Sequence, residues 1–361
     1  MKKNIGIYLF ILVILFSIFG LVMIYSSSYV WSLYKFNDSF HYIKLQGLFL
    51  LIGIIFMIVI SKIDYKLYYK YASMIFIICL ILLVLVLIPG IGKIRNGSRS
   101  WFGIGSFGIQ PSEFIKLSLL ILISKYLSNS NKDIKSFIKG ILPVLLVLGL
   151  VFFLIMLQPD FGTGMIIVLS VLSLLFIAGC NMKFFFIAGV VGIIGIVILI
   201  LIAPYRMDRI ISFINPWSDP LGTGFQIIQS LYAIGPGGLF GLGLFNSRQK
   251  HFYLPEPQTD FIFSIISEEL GVIGIILVVS FFIFIMICGI NISLNSKNLF
   301  SKYLSFGITF QIIIQSIMNL MVVVGLIPVT GVTLPFLSYG GSSLLITLCS
   351  IGVLLNISRD I

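Results

Sequence analysis

Asp260 stands in the segment Leu254-Pro255-Glu256-Pro257-Gln258-Thr259-Asp260-Phe261-Ile262-Phe263-Ser264, where a long loop gives way to an apolar run. An ionised group inside a membrane span costs about 2.5 to 3.5 kcal/mol on insertion scales, so a carboxylate at such a border is a functional candidate by default. It can meet both water and a lipid headgroup. The stretch ahead of it carries Arg206, Arg209, Arg248 and Lys250, cations suited to a pyrophosphate. Asp260 or its neighbour Thr259 could equally serve as a helix cap. Burial would raise the pKa of the Asp260 carboxyl while the nearby cations would lower it. At helical spacing, Asp260, Ser264, Ser267 and Gly271 form a narrow stripe, with Glu268 at its edge and Glu269 facing away. The uncharged run 270–290 is long enough to cross a bilayer alone, which sets Asp260 near the outer interface.

Two further segments carry expensive polar groups. In Gln110-Pro111-Ser112-Glu113-Phe114-Ile115-Lys116, Pro111 suits the first helical position and Glu113 falls in the first turn, where the helix dipole favours it. Lys116 follows three residues on along the same face, so the two either form an internal ion pair or line a substrate cavity. In Gln158-Pro159-Asp160-Phe161-Gly162-Thr163-Gly164, Asp160 is placed to cap the next helix or to join a charged cavity with Lys116. His41 and His251 lack ligand or triad spacing and read as surface or loop residues. Cys79, Cys180, Cys288 and Cys349 have no C-x-x-C spacing and read as small packing residues. Gly241-Leu242-Gly243 lacks the strand and helix context of a dinucleotide site and reads as tight backbone packing.

The elements that must hold these groups follow from composition. The chain has 361 residues, 59% hydrophobic and only 10% charged, against about 25% charged in a soluble domain. That excludes a water-exposed globule, and the unbroken apolar runs exclude a transmembrane barrel. Runs at 7–25, 45–61, 72–88, 113–127, 141–157, 165–179, 184–203, 260–290, 303–327 and 343–357 predict an all-α polytopic membrane protein. The expected architecture is a single membrane domain over 1–361 with about ten transmembrane helices. One long extracellular loop, about 204–259, separates the seventh and eighth, and its aromatic and apolar content argues that it is ordered.

The net charge of +11 has no basic module that could grip a nucleic acid, so it reads as topological charge. With an uncleaved first helix and a cytoplasmic N-terminus, the inner side receives Lys2, Lys3, Lys62, Lys66, Lys70, Lys125, Lys132, Lys135, Lys139, Lys183, Lys297, Lys302 and Arg359. The outer side still holds Lys35, Lys93, Arg95 and Arg99 besides the four loop cations. Cations placed against the usual tendency are either solvated loop residues or an outward-facing site for an anionic substrate.

Across nearly its whole length the chain resembles the SEDS family (shape, elongation, division and sporulation). The resemblance rests on Arg99-Ser100-Trp101, the segments around Glu113 and Asp160, Asn215-Pro216-Trp217 through to Glu268-Glu269-Leu270-Gly271, Gly325-Leu326-Ile327-Pro328 and Leu334-Pro335-Phe336-Leu337-Ser338-Tyr339-Gly340-Gly341. The Pro255–Asp260 segment and the ending Gly352-Val353-Leu354-Leu355-Asn356-Ile357-Ser358-Arg359 are more similar to the FtsW and SpoVE branch than to RodA. Pro257-Gln258 departs from the Ala-His or Arg-His that many relatives carry before the Thr-Asp pair, so no imidazole role is expected there.

The resemblance implies a peptidoglycan glycosyltransferase that polymerises lipid II at the outer face of the bacterial cytoplasmic membrane, for division or sporulation. It implies a class B penicillin-binding protein as partner, with divisome or sporulation proteins, and both termini in the cytoplasm. Asp260 is then the expected base, or a ligand of a divalent cation such as Mg or Mn. Arg206, Arg209, Lys250 and Arg99 are expected on phosphate, with Glu113, Lys116 and Asp160 organising the cavity. The competing expectations are a lipid II flippase, which needs a site near the midplane, and a noncatalytic scaffold for the crosslinking enzyme.

Overall fold

The computed structural model describes residues 5–95, 97–104, 107–129, 134, 136–202 and 204–361. Lys2, Lys3, Lys132 and Lys135 lie outside the described residues, as does the side chain of Arg206. Long helices follow the apolar runs: α1 (Ile5–Phe36), α2 (His41–Lys62), α3 (Tyr65–Leu85), α4 (Pro111–Asn129), α5 (Leu142–Met156), α6 (Phe161–Ile177), α7 (Met182–Ile202), α10 (Ile262–Asn295), α11 (Leu299–Val323) and α12 (Gly341–Ser358). Two shorter helices, α8 (Pro204–Ile214) and α9 (Phe225–Ile234), lie within the expected long loop. Among the described residues, seven helical stretches are long and apolar enough to cross a membrane: α1, α2, α3, Phe137–Met156, α10, α11 and α12. Phe161–Ile177 and Met182–Ile198 are apolar but shorter, and α4 carries Glu113, Lys116 and Lys125. The result is an all-α polytopic membrane fold.

Local chemistry sets the helix starts. Asp64 accepts from Lys66 N–H at 2.9 Å before α3, Asp160 from Thr163 N–H at 3.1 Å before α6, and Asn298 from Ser301 N–H at 2.8 Å before α11. Each satisfies a backbone donor that the first helical turn leaves free. Hydroxyls buried in the spans bond back into their own helices, as Ser305, Thr309 and Ser316 do in α11 at 2.7 Å, so they add polarity without orphaned groups. Helix α12 packs closely along α2 and is enclosed along most of its length.

One element was not expected. Between α3 and α4 the chain forms a three-stranded antiparallel sheet of β1 (Lys93–Arg95), β2 (Ser98–Ile104) and β3 (Phe107–Ile109).

The expected stripe on the eighth span needs correction. Asp260 lies in a turn ahead of α10, which begins at Ile262. Ser264 instead meets Ser230 of α9 at 2.7 Å, and Ser267 donates to Phe263 O. Gly271 interrupts α10 with φ 62° and ψ −151°. The glycine-rich stretch 235–243 fills that break. Val272 N–H donates to Gly238 O at 2.9 Å and Ile273 N–H to Leu239 O at 3.3 Å, while Leu242 and Gly243 N–H donate to the carbonyls of Glu268 and Glu269. A Cβ at Gly271 would stand 2.5 Å from Gly241 N and 2.7 Å from two carbonyl oxygens, which only glycine avoids. The expected tight backbone packing is therefore a splice between loop and helix.

Candidate active site

A cavity of about 1190 Å³ collects the polar groups. Its walls come from the first turns of α4 and α6, the segment 255–261, α7 and α8, the middle of α11, residues 327–333, the start of α12, the β-sheet and the facing ends of α1 and α2. Asp260, Glu113, Lys116, Asp160 and Arg209 all line it.

Asp260 is half-buried, keeping part of its surface toward the cavity. Its backbone is fixed from α11: the Asn319 amide donates to Asp260 O at 2.8 Å and to Val332 O at 2.7 Å. Its carboxyl lies over Gly331, whose left-handed φ of 75° turns the chain beneath it. Arg209 donates to Val329 O at 2.8 Å, so the segment 329–332 joins the guanidinium to the carboxyl's support. Protein packed around the Asp260 carboxyl pushes its pKa up to about 6, and repulsion from Glu256 adds to this. Arg209 pulls the other way and does not offset the burial.

Asp160 fills both roles open to it. One oxygen caps α6, and the other accepts from the Gln110 amide at 3.1 Å on the cavity wall. Burial raises its pKa against the pull of the Thr163 hydrogen bonds. Glu113 and Lys116 likewise pair at 2.9 Å while lining the cavity. Lys116 also donates to Gln315 Oε1 at 2.9 Å, and Gln315 Nε2 donates to Thr333 O at 3.0 Å. This chain of bonds runs from α4 through α11 to the loop beneath Asp260.

Two expected phosphate contacts lie elsewhere. Lys250 does not reach the cavity: it is fully buried and pairs with Glu269 at 2.9 Å, beneath the ring of Tyr29. Ser26 donates to both Glu269 oxygens at 2.7 Å, and Glu268 accepts from Ser247 Oγ and from the N–H groups of Arg248 and Gln249. A lone lysine sealed away from water must be neutralised, and Glu269 does this. Arg248 is exposed and does not line the cavity. Arg99 lies between Ser98 and Ser100, which line the cavity; its own stem packs against Gly92 and it is not among the lining residues. Arg95 on the neighbouring strand lines the wall instead, its guanidinium over Trp101 at 5.2 Å.

Other residues that line or support the cavity were not anticipated from the sequence. His41, read as a surface or loop residue, stacks on Phe36 at 3.8 Å and lines the cavity. Gln315 and Asn319 had a usable signal, since amides at 311, 315 and 319 recur every four residues on an apolar helix. All four cysteines are free and buried. Among the described residues no three His, Cys, Asp or Glu side chains converge as a metal-binding group.

A carboxyl with a raised pKa beside a guanidinium, in a cavity large enough for a saccharide, is equipped to deprotonate a hydroxyl next to an anionic leaving group. The comparisons with known proteins point to one family. The model of the cell cycle protein family FtsW, RodA and SpoVE matches residues 7–361. Stage V sporulation protein E of Bacillus subtilis is 52% identical over 358 residues, covering 99% of this chain and 98% of that protein. The probable peptidoglycan glycosyltransferase FtsW of Geobacter sp. (strain M18) is 41% identical, covering 96% and 94%. Among solved structures, a chain described under structural coordination of polymerization and crosslinking by a peptidoglycan synthase complex superposes with a TM-score of 0.78 at 29% identity, covering 98% of this chain and 97% of that one. The rod shape determining protein RodA of Thermus thermophilus superposes with a TM-score of 0.72 at 27% identity, covering 98% and 96%.

Proposed function

The chain belongs to the FtsW, RodA and SpoVE family of cell cycle proteins, and from that premise we propose that it is a peptidoglycan glycosyltransferase that polymerises lipid II. The observation that carries the reading at residue level is the Asp260 carboxyl, its pKa pushed up to about 6, opening with Arg209 into one large cavity.

In the reaction, the 4-hydroxyl of an acceptor sugar attacks the anomeric carbon of a donor. The hydroxyl proton passes to Asp260, a C–O bond forms to the donor sugar, and the bond to the undecaprenyl pyrophosphate breaks. A carboxylate of raised pKa is a stronger base than an ordinary one and is still mostly ionised near neutral pH, and such a base contributes about 10² to 10⁴ in rate. Arg209 meets the charge that develops on the leaving pyrophosphate. The Glu113–Lys116 pair and Asp160 line the same cavity, the lysine fixed by Gln315.

In this reading the protein is a single domain that crosses the bacterial cytoplasmic membrane ten times, with both termini inside and the stretch 204–259 outside. It works with a class B penicillin-binding protein in the machinery of division or sporulation. The likeness to the synthase-complex chain supports that partnership.

The test uses the purified chain with its crosslinking partner and labelled lipid II. The wild-type complex makes glycan strands, and Asp260→Asn binds lipid II but makes none. Flipping in vesicles without any polymer from the wild type rejects the reading, and polymerisation by Asp260→Asn at the wild-type rate rejects the assignment of the base.

A further inference from the structure

Gln258 is 2% exposed, yet it lines the cavity two residues before Asp260. Its backbone is held in place, its carbonyl accepting from Tyr339 N–H at 2.8 Å. Tyr339 is fixed in turn, since Gly340 N–H donates to the Gln46 amide oxygen and the Gln46 amide donates to Ser338 O. The Gln258 side chain hydrogen-bonds Tyr42, while its oxygen is buried with no hydrogen-bond partner in the protein. Buried amide oxygens are nearly always paired, because leaving one desolvated and unpaired is penalised. An orphan acceptor on the wall of a substrate cavity is a place prepared for a donor that arrives with the ligand.

Resting on the glycosyltransferase reading above, we infer that Gln258 is a specificity-determining residue of the saccharide subsite, its Oε1 accepting a hydrogen bond from a hydroxyl or acetamido N–H of the sugar held beside Asp260. The chemistry selects among the parts of a lipid-linked sugar. An amide oxygen gains nothing from a phosphate oxygen, and a polyprenyl tail carries no polar hydrogen. Tyr42 and Tyr339, which also line the cavity, pack edge to face with ring centroids 4.9 Å apart and offer partly apolar aromatic surface to a sugar ring. Rejection of ligands lacking the donor follows, because they would leave the oxygen buried and unpaired.

The experiment measures polymerisation of labelled lipid II by Gln258→Met, which keeps the length of the side chain, and by Gln258→Glu, which keeps an acceptor oxygen. Gln258→Met is expected to raise KM by about fivefold to tenfold with kcat within about threefold and an unmoved pH midpoint, and Gln258→Glu to recover most of the loss. A KM within about twofold of wild type in Gln258→Met, or an equal loss in Gln258→Glu, overturns the inference. Should Gln258→Met fail to fold, lipid II analogues each lacking one sugar hydroxyl or the acetamido N–H are assayed on the wild-type chain. One of them is expected to lose about fivefold in KM, and uniform KM values across the series overturn the inference. Equilibrium binding of lipid II to the same variants separates the two claims. A chain that binds lipid II in a Gln258-dependent way without polymerising it defeats the glycosyltransferase reading and leaves the subsite standing.

Discussion

Lys250 Nζ and Glu269 Oε1 lie 2.9 Å apart with neither side chain exposed, joining the long stretch after α8 to the first turns of α10. Removing one partner of a buried pair leaves an uncompensated charge, at about 3 to 5 kcal/mol, whereas replacing both by apolar groups of similar volume is often nearly neutral. Lys250→Met and Glu269→Gln are each expected to lower the unfolding temperature sharply in detergent, and Lys250→Met/Glu269→Leu to recover much of it. Equal loss in the double variant would show that the hydrogen bonds of Ser26 and Ser247, not the pair, carry the stability.

The pH dependence of turnover follows from the raised pKa of Asp260. A base must be ionised to act, so kcat is expected to rise with unit slope up to pH about 6 and to level above it. Polymerisation rates between pH 5 and 8 check this, and a profile flat to pH 5 removes Asp260 from the rate equation.

Stability has the opposite sign at the same residue. The folded state holds the Asp260 proton more tightly than the unfolded chain, so stability is fully present below the ordinary carboxylate range. It falls as pH rises from about 4 through about 6. Asp260→Asn is therefore expected to be more stable than wild type at pH 7 by about 1 to 3 kcal/mol, a difference that disappears near pH 4. Thermal unfolding at the two pH values reads it directly.

Asn319 holds the carbonyls of Asp260 and Val332 together through one amide. Asn319→Leu leaves both carbonyls unpaired, at about 1 to 3 kcal/mol of stability, and loosens the turn that aims the base. The expected signature is a fall in kcat of about tenfold to a hundredfold with KM little changed. A change in KM alone would place Asn319 in ligand binding instead.

Gly271→Ala forces a methyl group into the splice between α10 and the stretch 235–243. Since φ of 62° with ψ of −151° is reserved for glycine, the expected cost is about 1 to 3 kcal/mol or more. Limited proteolysis should then cut between 235 and 260, a region expected to resist protease in the wild type.

Much of this architecture was legible because membrane helices announce themselves by apolar length, and every apolar run coincides with a helix. The carboxylates at 113, 160 and 260 and Arg209 were legible because charges beside apolar runs are costly. Lys250 was misread for a physical reason: loop position suggested water, while its partner Glu269 lies nineteen residues on and belongs to the next helix. The strands of 93–109 were invisible because they are short and rich in glycine and charge, and among the described residues β1 pairs with β2 and β2 with β3. The groups that hold Asp260, above all Asn319 and Gly331, come from 59 and 71 positions further along the sequence. No local pattern around Asp260 points to them.

The splice at Gly271 also fixes a length of chain. Residues 235–243 supply the peptide groups that pair with α10 on both sides of its break. Lengthening or shortening the chain between the two would spoil the fit even if every side chain named above were kept, which makes the spacing itself an inherited quantity.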